Sequence, residues 1–117
     1  MVALAGTIFV KEGVGIPLSS VAFNAVVEFS RPFFEGGDGA YLKEIYAPLD
    51  EGGMDMISIS EQGVEGFNAY YKGARKAYDQ CLREGRCGGL GKQYFDMVFD
   101  AWRELIELLE ADERFLK

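Results

Sequence analysis

The amino-acid sequence predicts an α+β domain: a four-stranded antiparallel meander sheet followed by an antiparallel two-helix hairpin that packs on one face of the sheet. Apolar residues alternate with polar ones in the first half of the chain, about residues 1–60, as they do along half-buried strands. In the second half, about residues 61–117, they recur at every third or fourth position, which is typical of one helix face. The 117 residues suit a single domain that buries its own core.

Three of the four strands are short segments bounded by glycine or proline, and they are predicted over Val2–Val10, Ala40–Ala47 and Met54–Ile59. Composition also indicates the turns between them, with three glycines in Glu35–Gly39 and a proline at the start of Pro48–Gly53. Because these connections are short, an antiparallel meander is favoured over parallel strands joined by crossovers.

The remaining strand, Ser20–Ser30, has the most regular pattern in this half of the chain. Every odd position from 21 to 29 is apolar, as expected for a strand with one buried face. The same residues also permit a helix, since Ala22, Val26 and Phe29 share a helical face. The unbroken period of two favours the strand, and the glycines and proline of residues 13–17 are assigned to the turn before it.

Both helices of the predicted hairpin are amphipathic. The first is centred on Phe67–Leu82, where apolar and basic residues occupy opposite sides, and Gly85 follows where a left-handed C-terminal cap is expected. The second extends from about Lys92 to about Glu113, after a glycine-rich link that favours an antiparallel arrangement. Seven side chains are expected to fill the core between these helices and the sheet: Phe67, Tyr70, Ala74, Tyr78, Val98, Trp102 and Leu105.

No pattern of catalytic residues is present. The chain contains no histidine, which excludes Ser–His and Cys–His nucleophile pairs and removes the commonest metal ligand. Cys81 and Cys87 are expected to be free thiols, and they are too few for a zinc site. Gly88–Lys92 resembles the end of a phosphate-binding loop, but Arg86 replaces its first glycine and Gln93 replaces its Mg²⁺-binding hydroxyl residue. We therefore expect no enzymatic activity, no cofactor and no metal.

The formal net charge of −7 is concentrated in the middle of the chain. Residues 35–65 hold eight acids and one lysine, so their net charge alone equals that of the whole chain. This balance disfavours direct binding to nucleic acids or to anionic membranes, both of which attract cations. No apolar run is long enough to cross a bilayer, and the N-terminus lacks the positive region of a signal peptide. A cytoplasmic location is therefore expected.

Two sets of residues are candidate partner-binding sites. The first consists of acids in and beside the predicted turns and helix start: Glu35, Asp38, Asp50, Glu51, Asp55, Glu61 and Glu65. The second is an apolar arc that extends beyond what one neighbouring element would cover: Met97, Phe99 and Ile106 of the second helix. A row of acids on that helix is either a solvated face or an anionic ridge that meets a basic partner: Asp96, Asp100, Glu104 and Glu107.

These observations favour a non-enzymatic acidic protein that inhibits or neutralises a partner macromolecule by covering a basic surface. Nucleases and nucleic-acid-binding proteins are natural partners, because carboxylates can take the place of phosphates. Small bacterial immunity proteins, antitoxins and phage-encoded inhibitors share this profile, although no motif assigns the chain to a family. The alternative is a structural or oligomeric subunit, for example a homodimer, that associates through the apolar face of the C-terminal helix. A small-molecule enzyme ranks third.

Overall fold

A computed structural model describes residues 4–34, 39–85 and 92–116. The first half of the chain contains three strands and two helices, in the order β1 (Leu4–Lys11), β2 (Val14–Ser19), α1 (Ser20–Ser30), α2 (Gly39–Asp50) and β3 (Met56–Ser58). The second half contains two long helices, α3 (Val64–Glu84) and α4 (Phe95–Glu110). Short 3₁₀ turns follow α1 at Arg31–Phe33 and precede α4 at Lys92–Tyr94.

The three strands form one mixed sheet in the order β2-β1-β3. β1 pairs with β2 in antiparallel register, with Ile8 opposite Ile16, and with β3 in parallel register, with Ile8 opposite Ile57. All three isoleucines are buried, so they define the inner face of the sheet. The domain is α+β, but the predicted four-stranded antiparallel meander is wrong, because two of its strands are helices and β3 runs parallel to β1.

The segment Ser20–Ser30, predicted as a strand, forms the central helix α1. The Ser19 hydroxyl caps its N-terminus by accepting a hydrogen bond from the Ala22 N–H at 3.2 Å. α1 contacts β1, β2, α3 and α4, so side chains on most of its sides are buried. Among its described side chains, only Asn24 and Glu28 are exposed, and their spacing of four residues fits a helix as well as it fits a strand.

The segment Ala40–Ala47, also predicted as a strand, lies in α2. Five of its buried and half-buried apolar side chains follow the helical spacing of one, three and four residues: Tyr41, Leu42, Ile45, Tyr46 and Leu49. Pro48, assigned to a turn, lies within the last turn of this helix. Residues 14–17, also assigned to a turn, belong to β2, and Gly13 alone takes a positive φ, of 77°, in the connection between β1 and β2.

The second half of the chain is helical, and both α3 and α4 contact α1. α3 ends at Gly85, which takes the left-handed conformation with φ of 67° and donates its N–H to the carbonyls of Cys81 and Leu82. The two helices are antiparallel, since Asn68 near the start of α3 contacts residues beyond the end of α4, whereas Tyr78 contacts Phe99 near its start. Of the seven predicted core residues, all except the half-buried Tyr78 are buried.

The C-terminal segment after α4 is fixed to the rest of the fold by Arg114. Its guanidinium donates hydrogen bonds to the carbonyls of Val10 at 2.7 Å, Ile59 at 2.9 Å and Gln62 at 2.8 Å. It also pairs with the Asp112 carboxylate at 2.9 Å. One side chain therefore joins the end of β1, the residue after β3 and the approach to α3.

Two buried tyrosines give a matched test of polar burial. The Tyr46 hydroxyl donates a hydrogen bond to the Val27 carbonyl at 2.8 Å, whereas the Tyr70 hydroxyl has no partner among the described residues. We expect Tyr46→Phe to lower the free energy of unfolding by about 1 kcal/mol and Tyr70→Phe to leave it unchanged or raised. Chemical denaturation of both variants checks this difference, and an equal loss in the two variants would contradict the hydrogen-bond assignment.

Candidate partner interface

The described acids predicted to bind a partner lie near the two ends of α2 and on either side of β3. Asp50 and Glu51 lie at the C-terminal end of α2, a helix whose 12 residues extend for about 18 Å. Glu65, in the first turn of α3, accepts a hydrogen bond at 2.9 Å from the hydroxyl of Tyr41, near the N-terminal end of α2. Asp55 precedes β3 and Glu61 follows it. Glu35 and Asp38 lie outside the described residues.

Asp50 is engaged in an ion pair within the chain. Its carboxylate accepts two hydrogen bonds from Arg31, at 2.8 and 3.1 Å, and Arg31 also contacts Glu28 at 3.0 Å. The Arg31 guanidinium lies 4.5 Å from the centre of the Tyr46 ring. Hydrogen bonding to Arg31 lowers the pKa of Asp50, so the carboxylate is stabilised in its charged form. This cluster joins the end of α1 to the end of α2.

Three acids of the predicted surface are available to a partner. The side chains of Glu51, Asp55 and Glu61 are exposed and make no ion pair or hydrogen bond with a described residue. Their carboxylates contribute little to folding, because exposed single charges are well solvated. Substitutions at these positions can therefore test binding without a large change in stability.

The apolar arc predicted on the second helix does not form one surface. Met97 is exposed, and its Sδ atom accepts a hydrogen bond from the Ser19 hydroxyl at 3.6 Å. Phe99 is half-buried on another side of α4, against Tyr78 of α3 at 6.2 Å between ring centres. Ile106 is 3% exposed and belongs to the core of the described chain. From the sequence, part of this helix was left without a neighbour, because α1, which contacts α4, was predicted as a strand.

The solvent face of α4 is strongly anionic. The four acids predicted to share one side of this helix are all exposed: Asp96, Asp100, Glu104 and Glu107. Asp100 pairs with Arg103 at 2.9 Å, whereas Glu104 and Glu107 have no ion pair with a described residue. Glu110, in the last turn, accepts a hydrogen bond from the Tyr71 hydroxyl at 2.5 Å and lies 3.6 Å from Arg75.

The pKa of Tyr71 reflects this setting at the contact between α3 and α4. Burial, together with the hydrogen bond to Glu110, raises the pKa of Tyr71 to about 12. The hydroxyl therefore stays protonated and donates to Glu110 throughout the physiological pH range. Glu110 is used within the fold, so Glu104 and Glu107 are the acids in the C-terminal half of α4 that have no ion pair with a described residue.

Two grooves with different charged side chains border α3 and α4. The first, of about 460 Å³, runs between β2 and α4 and is lined by Val14, Gly15, Ile16, Glu104, Glu107, Leu108 and Ala111. The second, of about 300 Å³, runs along α3 and the C-terminal segment and is lined by Asn68, Tyr71, Lys72, Arg75, Lys76 and Leu116. The surface is therefore polarised, with carboxylates on one groove and cations on the other.

Within residues 4–34, 39–85 and 92–116, no helix is long and apolar enough to span a membrane. The same ranges contain no group of three or more Cys, Asp or Glu side chains arranged to hold a metal ion.

Arg114 is an important residue that the sequence did not indicate, because a single arginine among other charged residues forms no recognisable pattern.

No protein-family model matches the chain. The curated immunity protein CdiI from Burkholderia pseudomallei is 26% identical over 111 residues, which cover 95% of this chain and 94% of that protein. A chain from the solved complex of a CdiA-CT toxin from Burkholderia pseudomallei with its cognate CdiI immunity protein is 25% identical. It matches with a TM-score of 0.80 over 94% of this chain and 98% of its own length. In sequence and in fold, almost the whole chain is similar to these proteins.

Proposed function

We propose that this chain is an immunity protein that binds a CdiA-CT-type toxin and neutralises it. The observation that carries the proposal is the agreement of two comparisons over nearly the full length, with a sequence match to a CdiI protein and a TM-score of 0.80 to a chain of a toxin–immunity complex. Neutralisation by binding requires a complementary surface and no catalytic group, which suits a chain without histidine.

The charge of the chain supports a finer proposal about the toxin. The net charge is −7, and Glu51, Asp55 and Glu61 are exposed without a partner in the described part of the chain. Surfaces that bind nucleic acids are rich in Lys and Arg, and carboxylates can occupy the positions of phosphates there. We therefore propose that the toxin presents a basic surface, as a nuclease does, and that the two proteins meet in the cytoplasm.

The predicted acids form the electrostatic part of this interface, and the exposed Met97 and the half-buried Phe99 form its apolar part. Asp50 and Glu65 contribute less than the free acids, because each already accepts a hydrogen bond within the chain. Glu35 and Asp38 retain their proposed role from the sequence alone. Charges at a protein interface act mainly on the rate of association, so kinetics are the measurement of choice.

A purified binding experiment tests the proposed function. The chromosome that encodes this chain is expected also to encode a CdiA-CT-type toxin, and the isolated toxin domain is expected to bind the chain with a dissociation constant of about 1 µM or lower. Titration calorimetry measures this affinity. A chromosome without such a toxin, or a toxin that does not bind the folded chain, would contradict the proposal.

Neutral variants then test the electrostatic part. The triple variant Glu51→Gln/Asp55→Asn/Glu61→Gln should keep the wild-type melting temperature and associate about tenfold more slowly with the toxin at low salt. The difference should shrink at high salt, where charges are screened. Lys43→Gln, which removes an exposed cation, is the matched control and should associate at least as fast as the wild type. Equal rates for wild type and triple variant at low salt would show that these acids only aid solubility.

A further inference from the structure

We propose that the groove between β2 and α4 receives a cationic, extended segment of the partner toxin. The segment would add to the free edge of β2 at Gly15 and place a Lys or Arg side chain against Glu104 and Glu107. This inference rests on the proposed function and deepens it, because it names the part of the surface and the chemistry of the segment that it binds.

The first argument is the direction of the backbone groups in β2. Within β1, the Thr7 N–H donates to the Asp55 carbonyl and the Phe9 carbonyl accepts from the Ile59 N–H, so the backbone groups of both residues point towards β3. The backbone N–H and C=O of Ile8, the residue between them, must then point towards β2, where Ile8 is opposite Ile16. The neighbours of Ile16 in β2 consequently direct their backbone groups away from the sheet. These neighbours are Gly15 and Pro17.

The free edge of β2 is therefore small and specific. Gly15 offers both an N–H and a C=O to an incoming strand, whereas Pro17 offers only a C=O because it has no N–H. Gly15 also has no side chain and is exposed, so a second backbone can approach it closely. A docked strand can form one full pair of main-chain hydrogen bonds here, and proline limits any longer pairing.

The second argument is the charge of the opposite wall. α4 runs along β2 in the antiparallel direction, with Met97 beside Ser19 at one end and Leu108 beside Gly15 at the other. Two other acids of α4 are occupied, Asp100 by Arg103 and Glu110 by Tyr71. The two acids that line the groove are exposed and have no ion pair in the described part of the chain. An occupant that complements them is cationic.

These two arguments select one kind of occupant. Edge addition requires an extended backbone, and the two carboxylates require a positive side chain at a position that faces α4. Leu108 and Ala111 supply an apolar floor on which the aliphatic stem of Lys or Arg can pack. A basic strand of the toxin satisfies all three conditions. A strand of a second copy of this chain would satisfy the first condition, but β1 and β2 carry a single Lys and no Arg, so they supply little of the positive charge that the second condition requires.

Amide hydrogen exchange of Gly15 tests the main-chain part. In the free chain this amide is expected to exchange rapidly, whereas that of Ile16, paired with Ile8, is protected. In the complex with the CdiA-CT-type toxin domain of the same chromosome, exchange at Gly15 should slow by about 100-fold. An unchanged Gly15 amide in a complex that forms would overturn the proposal. Protection of Gly15 in the free chain, accompanied by dimerisation, would assign the groove to a second copy and would also overturn it.

A pair of matched neutral variants tests the charge part. Glu104→Gln/Glu107→Gln and Glu51→Gln/Glu61→Gln remove the same number of charges from exposed positions, so both should melt like the wild type. The groove variant should dissociate from the toxin about tenfold faster or more, whereas the other variant should affect mainly association. Equal dissociation rates in the two variants would overturn the groove as the contact. A wild-type chain that fails to bind the toxin at all would instead overturn the proposed function, and this inference with it.

Discussion

Replacement of Arg114 by methionine is expected to lower the free energy of unfolding by about 3–5 kcal/mol. Methionine keeps much of the side-chain volume but cannot donate hydrogen bonds. The carbonyls of Val10, Ile59 and Gln62 would each lose a donor, and Asp112 would lose its cation. Loss of a partner for a buried polar group costs about 1–3 kcal/mol, so these effects together approach the total stability of a small domain.

Arg114→Lys is the matched control for this prediction. Lysine retains the charge and the aliphatic stem over the Phe67 ring, which lies 4.4 Å from the guanidinium carbon. Its single ammonium cannot reach three carbonyls and a carboxylate with the geometry of the planar guanidinium, so an intermediate loss of stability is expected. Urea denaturation followed by circular dichroism measures both variants. A methionine variant within about 0.5 kcal/mol of the wild type, the usual range for surface substitutions, would show that Arg114 is dispensable.

The same cluster makes the free energy of unfolding depend on pH. The hydrogen bonds from Arg114 hold the pKa of Asp112 below its usual value, so the folded state favours the charged carboxylate. Its contribution to stability is therefore complete above the unfolded pKa and is lost as the pH falls through the folded pKa. Asp112→Asn should be less stable than the wild type at pH 7, and the difference should narrow below about pH 4. A difference that stays constant with pH would contradict this role.

Trp102→Ala is expected to destabilise the fold by about 3–5 kcal/mol, as truncation of a buried aromatic side chain does. Trp102 is fully buried in α4 and packs against Phe29 of α1 at 6.5 Å and against Tyr78 of α3 at 5.8 Å between ring centres. It therefore lies where three helices meet. Alanine would leave a cavity that none of the three can fill without a shift of its backbone.

Trp102→Phe separates packing from hydrogen bonding. The Trp102 Nε1 atom has no partner among the described residues, so its loss should cost nothing and only the missing ring volume should matter. We expect the phenylalanine variant to retain more than half of the stability that alanine loses. Thermal melts of the two variants check this order. A nearly unchanged melting temperature for Trp102→Ala would place the side chain at the surface and contradict the described core.

The helical half of the fold was predictable because its signals agree with one another. In α3 the apolar period, the basic residues on the opposite side and the cap at Gly85 all indicate one helix with one end. α1 differs, because it is surrounded by other elements and its sequence is apolar at both even and odd positions. A helix buried on most sides loses the contrast between faces on which sequence reasoning depends. Its capping serine, Ser19, was the one local signal for a helix start.

The candidate interface was predictable in charge but not in position. Composition alone indicates an acidic binding protein, and the exposed Glu51, Asp55 and Glu61 agree with that expectation. Their distribution depends on α2, whose length separates Asp50 from Glu65, and a meander would have placed them differently. The groove that contains Glu104 and Glu107 depends on the packing of α4 beside β2, a segment read as a turn. Contacts between distant segments leave no trace in local periodicity.

Protection of living cells is the most direct test of the proposed immunity function. Expression of the CdiA-CT-type toxin domain from the same chromosome should arrest the growth of a bacterial test strain, and co-expression of this chain should restore growth to the rate without toxin. The chain should not protect cells against an unrelated toxin. A variant that fails to fold should also give no protection, and Trp102→Ala is such a variant if it is severely destabilised. Continued growth arrest in cells that contain the soluble, folded wild-type chain would contradict the account.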